Sequence, residues 1–256
     1  MKIIQVSDLH LRAPGETLLG IDPLARLEDC VADLNRNHAD ADLVVFSGDL
    51  TNDGEPSAYA ALAERLAGLA APFRLMLGNH DNRTAFRAAF PDAPGEGGFI
   101  QSSVDLPEGR IVLLDTLEAG LIEGRLCEAR LAWLDAVLAE TRSALLFLHH
   151  PPFPIGVPSL DKWRLSDAKH LRDVLIRHNN VRHIFAGHVH RFAAGSWSGI
   201  PFVTVRATSI QSALTFSGPH ETSFEAPAYA VILADGKNII VHMHEFPCRD
   251  AEQQQI

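Results

Sequence analysis

Five short clusters of Asp, Asn and His punctuate the chain, and each directly follows an apolar run. They are Asp8-Leu9-His10, Gly48-Asp49, Gly78-Asn79-His80-Asp81, His149-His150-Pro151 and Gly187-His188-Val189-His190. Apolar runs of this length read as strands, so five strand ends would each deliver oxygen or imidazole groups. A fold that brings those ends together has what a two-metal hydrolytic site requires. Taken singly, each cluster could equally be a polar turn.

Apolar runs alternate with helical spacing over most of the length. Lys2–Val6, Leu43–Phe46, Phe73–Leu77, Ala144–Leu148 and His183–Ala186 read as strands that end at the clusters. Phe99–Val104 and Arg110–Leu114 read as neighbouring strands. Between them Pro23–Asn37, Glu55–Leu69, Arg83–Phe90, Glu128–Leu138 and Asp167–Arg177 carry helical patterns, the last with Ser166 as its expected cap. From Ala193 onward the pattern becomes antiparallel β, interrupted by a loop-like stretch over 209–227. This order predicts an α/β fold with ligands collecting beyond the carboxyl ends of the strands.

The 256 residues are 46% apolar and 21% charged, an ordinary globular composition whose core needs no structural metal. Cys30, Cys127 and Cys248 have neither the spacing nor the number of a disulfide framework, so free thiols in a reducing compartment are expected. No apolar run approaches a membrane span, and the N-terminus reads as a strand rather than a signal peptide. The expected location is the cytoplasm. A formal net charge of −10 argues against long nucleic acids as partners. It also requires a local positive charge if the substrate is a phosphate, and two divalent cations would provide one.

If the extended conformation persists past Ser7, Asp8 and His10 point to one side, and the same holds for His188 and His190. Gly48 and Gly78 permit unusual backbone angles beside Asp49 and Asn79. Asp49 is a candidate bridging carboxylate, and Asn79 offers a neutral carbonyl oxygen. The donors are carboxylate, amide oxygen and imidazole without thiolate, which suits Mn, Fe, Zn or Co. His80, beside the metals but not bound to them, is a candidate proton donor to a leaving oxygen, with Asp81 to orient it. His242 and His244 sit within a late strand and read as one solvated face.

The order Asp-x-His, Gly-Asp, Gly-Asn-His-Asp, His, Gly-His-x-His, from Asp8 to His190, resembles the calcineurin-like metallophosphoesterase superfamily. The resemblance implies a four-layer α-β-β-α sandwich of two mixed sheets flanked by helices, with a small C-terminal β extension. It implies one metal held by Asp8, His10, Asp49 and His190, and a second held by Asp49, Asn79, His149 and His188. His80 and Asn79 would contact the phosphate, and His80 and Asp81 would be the catalytic pair. Mn or Fe are the metals first implied, with Zn or Co as alternatives. Gly48–Glu55 lacks the Arg, and Asp81 replaces the Glu, of Ser/Thr protein phosphatases. The chain is more similar to bacterial class III cyclic nucleotide phosphodiesterases and glycerophosphodiesterases.

The expected activity is therefore hydrolysis of small phosphodiesters by in-line attack of a metal-held hydroxide. A phosphomonoesterase or phosphonate ester hydrolase on the same centre is the alternative, and a non-catalytic scaffold is the alternative of another class. The expected organisation is a core over 1–206, a cap or dimerisation segment over 207–228, sheet-completing strands over 229–247 and a frayed polar tail over 248–256. A homo-oligomer is expected.

Overall fold

The first strand already requires cover on both sides. In the computed structural model, which describes residues 1–249, Ile4 and Val6 pack into one apolar cluster while Ile3 packs into another. A strand apolar on both faces must lie inside a layered fold.

The chain begins with β1 (Lys2–Val6), α1 (Pro23–Asn37), β2 (Leu43–Ser47), α2 (Pro56–Leu66), β3 (Phe73–Met76) and α3 (Arg83–Ala89). It continues with β4 (Ser102–Leu106), β5 (Gly109–Leu114), α4 (Glu128–Ala139), β6 (Ala144–Leu148), α5 (Pro158–Asp161) and α6 (Ala168–His178). Then come β7 (Val181–Ala186), β8 (Ala193–Trp197), β9 (Ile200–Thr204), β10 (Gln211–Ser212), β11 (Thr222–Ser223), β12 (Ala228–Ala234) and β13 (Ile239–Glu245). Local signals explain several boundaries. The Asp22 carboxylate accepts from the backbone N–H groups of Leu24 and Ala25 at 3.0 and 3.1 Å, and Pro23 and Pro56 open α1 and α2.

Two large sheets result, ordered β13-β12-β1-β2-β3 and β4-β5-β6-β7-β9-β8, beside a two-stranded β10-β11 ribbon. Both are mixed: β1, β2 and β3 run parallel, as do β5, β6, β7 and β9, while β12, β13, β4 and β8 pair antiparallel. The sheets face each other through Ile3, Val45 and Met76 on one side and Leu113, Phe147 and Phe185 on the other. Helices α1, α2 and α3 cover the first sheet, and α4 and α6 the second. This is the four-layer α-β-β-α sandwich. Gln5, fully buried between the sheets, donates to Ser47 Oγ and to the carbonyl of Ala186, linking the two.

Several expectations need correction. The late strands are not uniformly antiparallel, because β9 continues the parallel run beside β7. Ser166 does not cap α6. Its hydroxyl donates to the carbonyl of Gly124 at 2.9 Å, and Asp167 takes the cap position. The stretch 209–227 is not wholly loop, since β10 and β11 pair within it. Cys248 belongs to the core rather than a frayed tail, and Arg249 pairs with Asp29 and Glu28. The rest of the expected tail, 250–256, lies outside the described residues. His244 is not simply solvated, because its Nε2 lies 3.2 Å from Asp33 Oδ2. No described helix is long and apolar enough to cross a membrane.

Candidate active site

The five clusters follow β1, β2, β3, β6 and β7, so both sheets contribute to one site. The chain does not reach it in extended form. Asp8, His10, Asp49, His188 and His190 have φ of 55°, 47°, 49°, 68° and 48°. They are five of the eight non-glycine left-handed positions among the described residues. Each costs about 1–2 kcal/mol. The expectation of extended Asp-x-His and His-x-His pairs is thus overturned. The reason is the way these loops lock together. Asp8 N–H donates to the carbonyl of Gly48 at 3.1 Å, His10 N–H to that of Asp49 at 2.9 Å, and His188 N–H to Asp8 Oδ1 at 3.1 Å. Backbone strain of this kind clusters at functional sites because the fold holds it there.

The strain gathers the side chains. One potential ligand atom from each of Asp8, His10, Asp49 and His190 lies within 4.8 Å of the others, and the same holds for His149, His150 and His188. Asp49 joins the two groups, with its Oδ2 3.5 Å from His10 Nε2 and 3.3 Å from His149 Nε2. Asp8 Oδ1 is 3.4 Å from His190 Nε2.

Three observations fit these residues to bound cations. His149 Nε2 is buried without a hydrogen-bond partner, while its Nδ1 is held by the carbonyl of Ser47 at 2.8 Å. A buried nitrogen left in that state is costly unless something else occupies it. His190 is oriented in the same way, its Nδ1 held by the carbonyl of Ile210 at 2.7 Å. Metal-binding histidines are oriented by such outer hydrogen bonds. Finally, two glycines make room for the donors. A Cβ at Gly78 would lie 2.2 Å from Asp49 Oδ1 and 2.5 Å from His149 Nε2, and one at Gly48 would lie 2.4 Å from His149 Nδ1.

The electrostatics follow from burial and proximity. Burial pushes the Asp8 carboxyl up, but the facing His190 and His149 rings override it and hold the group at about 2. Asp49 is likewise held well below the usual carboxylate range, His149 and His10 outweighing burial. Burial disfavours charge on His149, yet Asp49 and Asp8 raise it to about 9. His10 and His188 are held neutral, down at about 3, chiefly by burial. Two buried carboxylates thus draw protons onto neighbouring imidazoles, and bound cations would displace those protons.

His150 was given no role by the sequence, although it stands beside His149. Both its nitrogens are committed. Ile122 O and Asn79 Oδ1 lie 3.1 and 3.2 Å from Nε2, and Thr116 Oγ1 lies 2.8 Å from Nδ1. A carbonyl can only accept, so Nε2 carries the proton and Nδ1 accepts from the threonine hydroxyl. Burial agrees, holding the ring neutral with a pKa well below the usual histidine value. Asn79 Oδ1 has two lone pairs, one for His150 and one for a cation. The histidine doublet was the sequence signal. Its partners Thr116 and Ile122 come from a distant loop and left none.

His80 is exposed, and its Nδ1 donates to the carbonyl of Asn52 at 2.7 Å. Asp81 does not orient it, contrary to expectation. The Asp81 carboxylate accepts instead from the backbone of Leu50, Thr51 and Gly78 and from the Tyr59 hydroxyl at 2.8 Å. These bonds fasten the loop after β2 to the loop after β3. Burial and the Asp49 charge raise the Asp81 carboxyl to about 6. The reason for the difference is geometric: a buried acid finds the nearest backbone donors, which here lie behind the site rather than at its mouth.

Above the donors is a cavity of about 470 Å³, lined by His10, Asp49, Asn79, His80, His188 and His190 together with several apolar side chains. The segment after β9 also reaches it, through Ile210, Gln211, Ser212 and His220. The site therefore combines a double donor cluster with a pocket of small-ligand size.

The calcineurin-like phosphoesterase family model matches residues 1–192. The chain belongs to this family. Its enzymes are hydrolases with a binuclear metal centre, and the two donor groups are candidate ligands for one. The chain is 42% identical over 254 residues to a probable cyclic nucleotide phosphodiesterase of Rhodopseudomonas palustris, covering 96% of this chain and 93% of that protein. It is 33% identical over 217 residues to the 3′,5′-cyclic adenosine monophosphate phosphodiesterase CpdA of Escherichia coli, covering 82% and 77%. Among solved structures, a dimetal phosphatase from Danio rerio shares the fold with a TM-score of 0.74 at 18% identity, over 95% of this chain and 96% of that one.

Proposed function

We propose that this chain is a two-metal phosphodiesterase that hydrolyses small phosphodiesters, cyclic nucleotides foremost. The observation that carries the reading is Asp49 Oδ2, which lies 3.5 Å from His10 Nε2 and 3.3 Å from His149 Nε2 and so is available to both donor groups. In this reading Asp8, His10, Asp49 and His190 hold one ion, and Asp49, Asn79, His149 and His188 hold the other. The donor chemistry suits Mn or Fe, with Zn or Co as alternatives. Bound there, the ions supply Lewis acidity to the phosphate oxygens and lower the pKa of the attacking water.

The protein's own groups complete the reaction. The Asn52 carbonyl accepts a hydrogen bond from His80 Nδ1–H. That leaves Nε2 as the atom that, when protonated, donates a hydrogen bond to a phosphate oxygen or gives its proton to the leaving alkoxide. Asp81 holds the Asp49 and Asn79 loops together. It is a positioning residue in this scheme, not a proton carrier. The two relatives described above carry cyclic nucleotide phosphodiesterase names, which supports the substrate class.

The same proposal includes a cytoplasmic enzyme that self-associates. The segment over 207–228 carries exposed Leu214, Phe216 and Phe224, which suits a second copy of this chain. Sedimentation velocity showing only monomer would remove that part. The activity is tested with bis(p-nitrophenyl) phosphate and 3′,5′-cyclic AMP. Turnover should appear with Mn²⁺, disappear with chelator and exceed the rate on p-nitrophenyl phosphate. Absence of turnover with Mn²⁺, Fe²⁺, Co²⁺ and Zn²⁺ alike would overturn the reading.

A further inference from the structure

We propose that the apolar part of the cavity is a nucleobase platform centred on Trp163, and that it discriminates little between bases. This rests on the phosphodiesterase reading and names which half of the substrate that reading leaves unassigned. The donor cluster accounts for a phosphate. The remaining lining includes Leu121, Ile122, Leu160, Trp163 and Ile210. Ile122 is 47% exposed although it adjoins a cluster of ionisable groups. A glycerol or choline substituent would leave that surface wetted, whereas a flat heterocycle would cover it.

The platform is tied to the donors. Leu160 packs with Val157 and with Val189, the residue between His188 and His190. Asp161 fastens the same turn by accepting from the backbone of Ile155 at 2.7 Å and Gly156 at 3.2 Å. Ile122 is held through its carbonyl by His150, 3.1 Å away. The loop leading to it is anchored at Asp115, which receives a two-pronged Arg83 at 2.8 and 2.9 Å. Lys162 Nζ lies 4.2 Å from the centroid of the Trp163 ring, which itself lines the cavity. These contacts hold the surface in place, which favours stacking.

Base indifference follows from the hydrogen bonds already made. Both ends of the Gln211 amide are bound to the Ala207 backbone, at 3.0 and 2.8 Å. Asn52 is engaged through Oδ1 by His10 and through Nδ2 by Asp53, and Asn79 through Oδ1 by His150. Ser212 Oγ lies 3.0 Å from His220 Nε2. Of the side-chain amides in the lining, Gln211 and Asn52 are thus engaged at both ends and Asn79 belongs with the metal donors, which leaves stacking to hold the base, and stacking tolerates any heterocycle.

The test uses the full chain reconstituted with Mn²⁺. For wild type, kcat/KM for cyclic AMP, GMP and CMP should agree within about tenfold, since stacking strength differs only modestly between bases. Trp163→Ala should lower the ratio of kcat/KM for cyclic AMP over glycerophosphoethanolamine by roughly tenfold, mainly through KM. Trp163→Phe should restore most of the ratio. Ile122→Ser supplies the second variant if Trp163→Ala does not fold, and should lower the ratio in the same direction. Calorimetry decides without turnover: Trp163→Ala should weaken AMP relative to inorganic phosphate by a similar factor. If wild type cleaves both diesters but the variants leave the ratio and the AMP-to-phosphate preference unchanged, the platform is refuted and the activity stands. If wild type cleaves no diester, the proposed function falls, and the AMP-to-phosphate comparison still decides the platform. A preference for one base above about a hundredfold would refute the indifference.

Discussion

His10 Nε2 and His190 Nε2 lie 3.0 Å apart, although 180 residues separate them in the chain. Two imidazole nitrogens each about 2.1 Å from one ion, at right angles, stand about that far apart. The outer nitrogens fix them there: His190 Nδ1 on the Ile210 carbonyl at 2.7 Å and His10 Nδ1 on Asn52 Oδ1 at 3.3 Å. His190→Ala should therefore release one of two bound ions per chain and lower activity well beyond the about 10- to 100-fold typical of outer partners. Asp49→Ala should release both, because its Oδ2 adjoins both donor groups. Plasma emission analysis of dialysed protein distinguishes the two variants. Equal metal loss from both would contradict a bridging Asp49.

His80 should separate binding from chemistry. Its Nδ1 is committed to the Asn52 carbonyl, and its ring does not belong to either donor group. His80→Ala is expected to retain both ions while kcat falls about 10²- to 10⁴-fold, the range for loss of a general acid. Metal content and steady-state rates on the same preparation check this. Loss of an ion would make His80 a ligand instead.

The His150 arrangement predicts a graded effect. Thr116 Oγ1 fixes the ring, and the ring fixes Asn79 Oδ1. Thr116→Val removes the hydroxyl at nearly constant shape. One of the two ions should then bind about 10- to 100-fold more weakly, with the other unchanged. Titration of the chelated protein with Mn²⁺ should resolve two affinities in the variant. A Thr116→Val protein with wild-type affinities would assign His150 to packing.

Much of the fold was legible because periodicity survives burial. The apolar run of β1 and the 3.6-residue pattern of α1 are local properties that can be read without knowing the fold. The candidate ligands were legible for a related reason, since each stands immediately after an apolar run. How those ligands converge was not. Extended geometry would have been the simplest means of pairing Asp8 with His10, but the chain uses left-handed turns stabilised by Gly48 and Asp49 from another strand. Asp81 was misread for a similar reason. Its partners Leu50, Thr51 and Tyr59 are distant in sequence, and no spacing rule reveals them. The base-facing part of the cavity is drawn from loops on several elements, where side-chain type carries little positional information.

His183, outside the site, gives a pH-dependent stability that can be isolated from the metals. It is 9% exposed on β7 and stacks on Phe185 with centroids 4.3 Å apart. Burial lowers its pKa to about 4, against the 6.5 of an unhindered histidine. The unfolded chain therefore takes up this proton as pH falls through about 6.5, while the folded chain takes it up only near 4. The stabilisation is complete above pH 6.5 and is lost as pH falls toward 4. The loss reaches about 2 kcal/mol at pH 5 and about 3 kcal/mol by pH 4. His183→Leu keeps the site apolar and removes the titration. Urea unfolding with chelator present, at pH 7.5 and pH 5.0, should show wild type losing about 2 kcal/mol more than the variant across that interval. Equal losses would mean that His183 accepts its proton in the folded state as readily as in the unfolded chain.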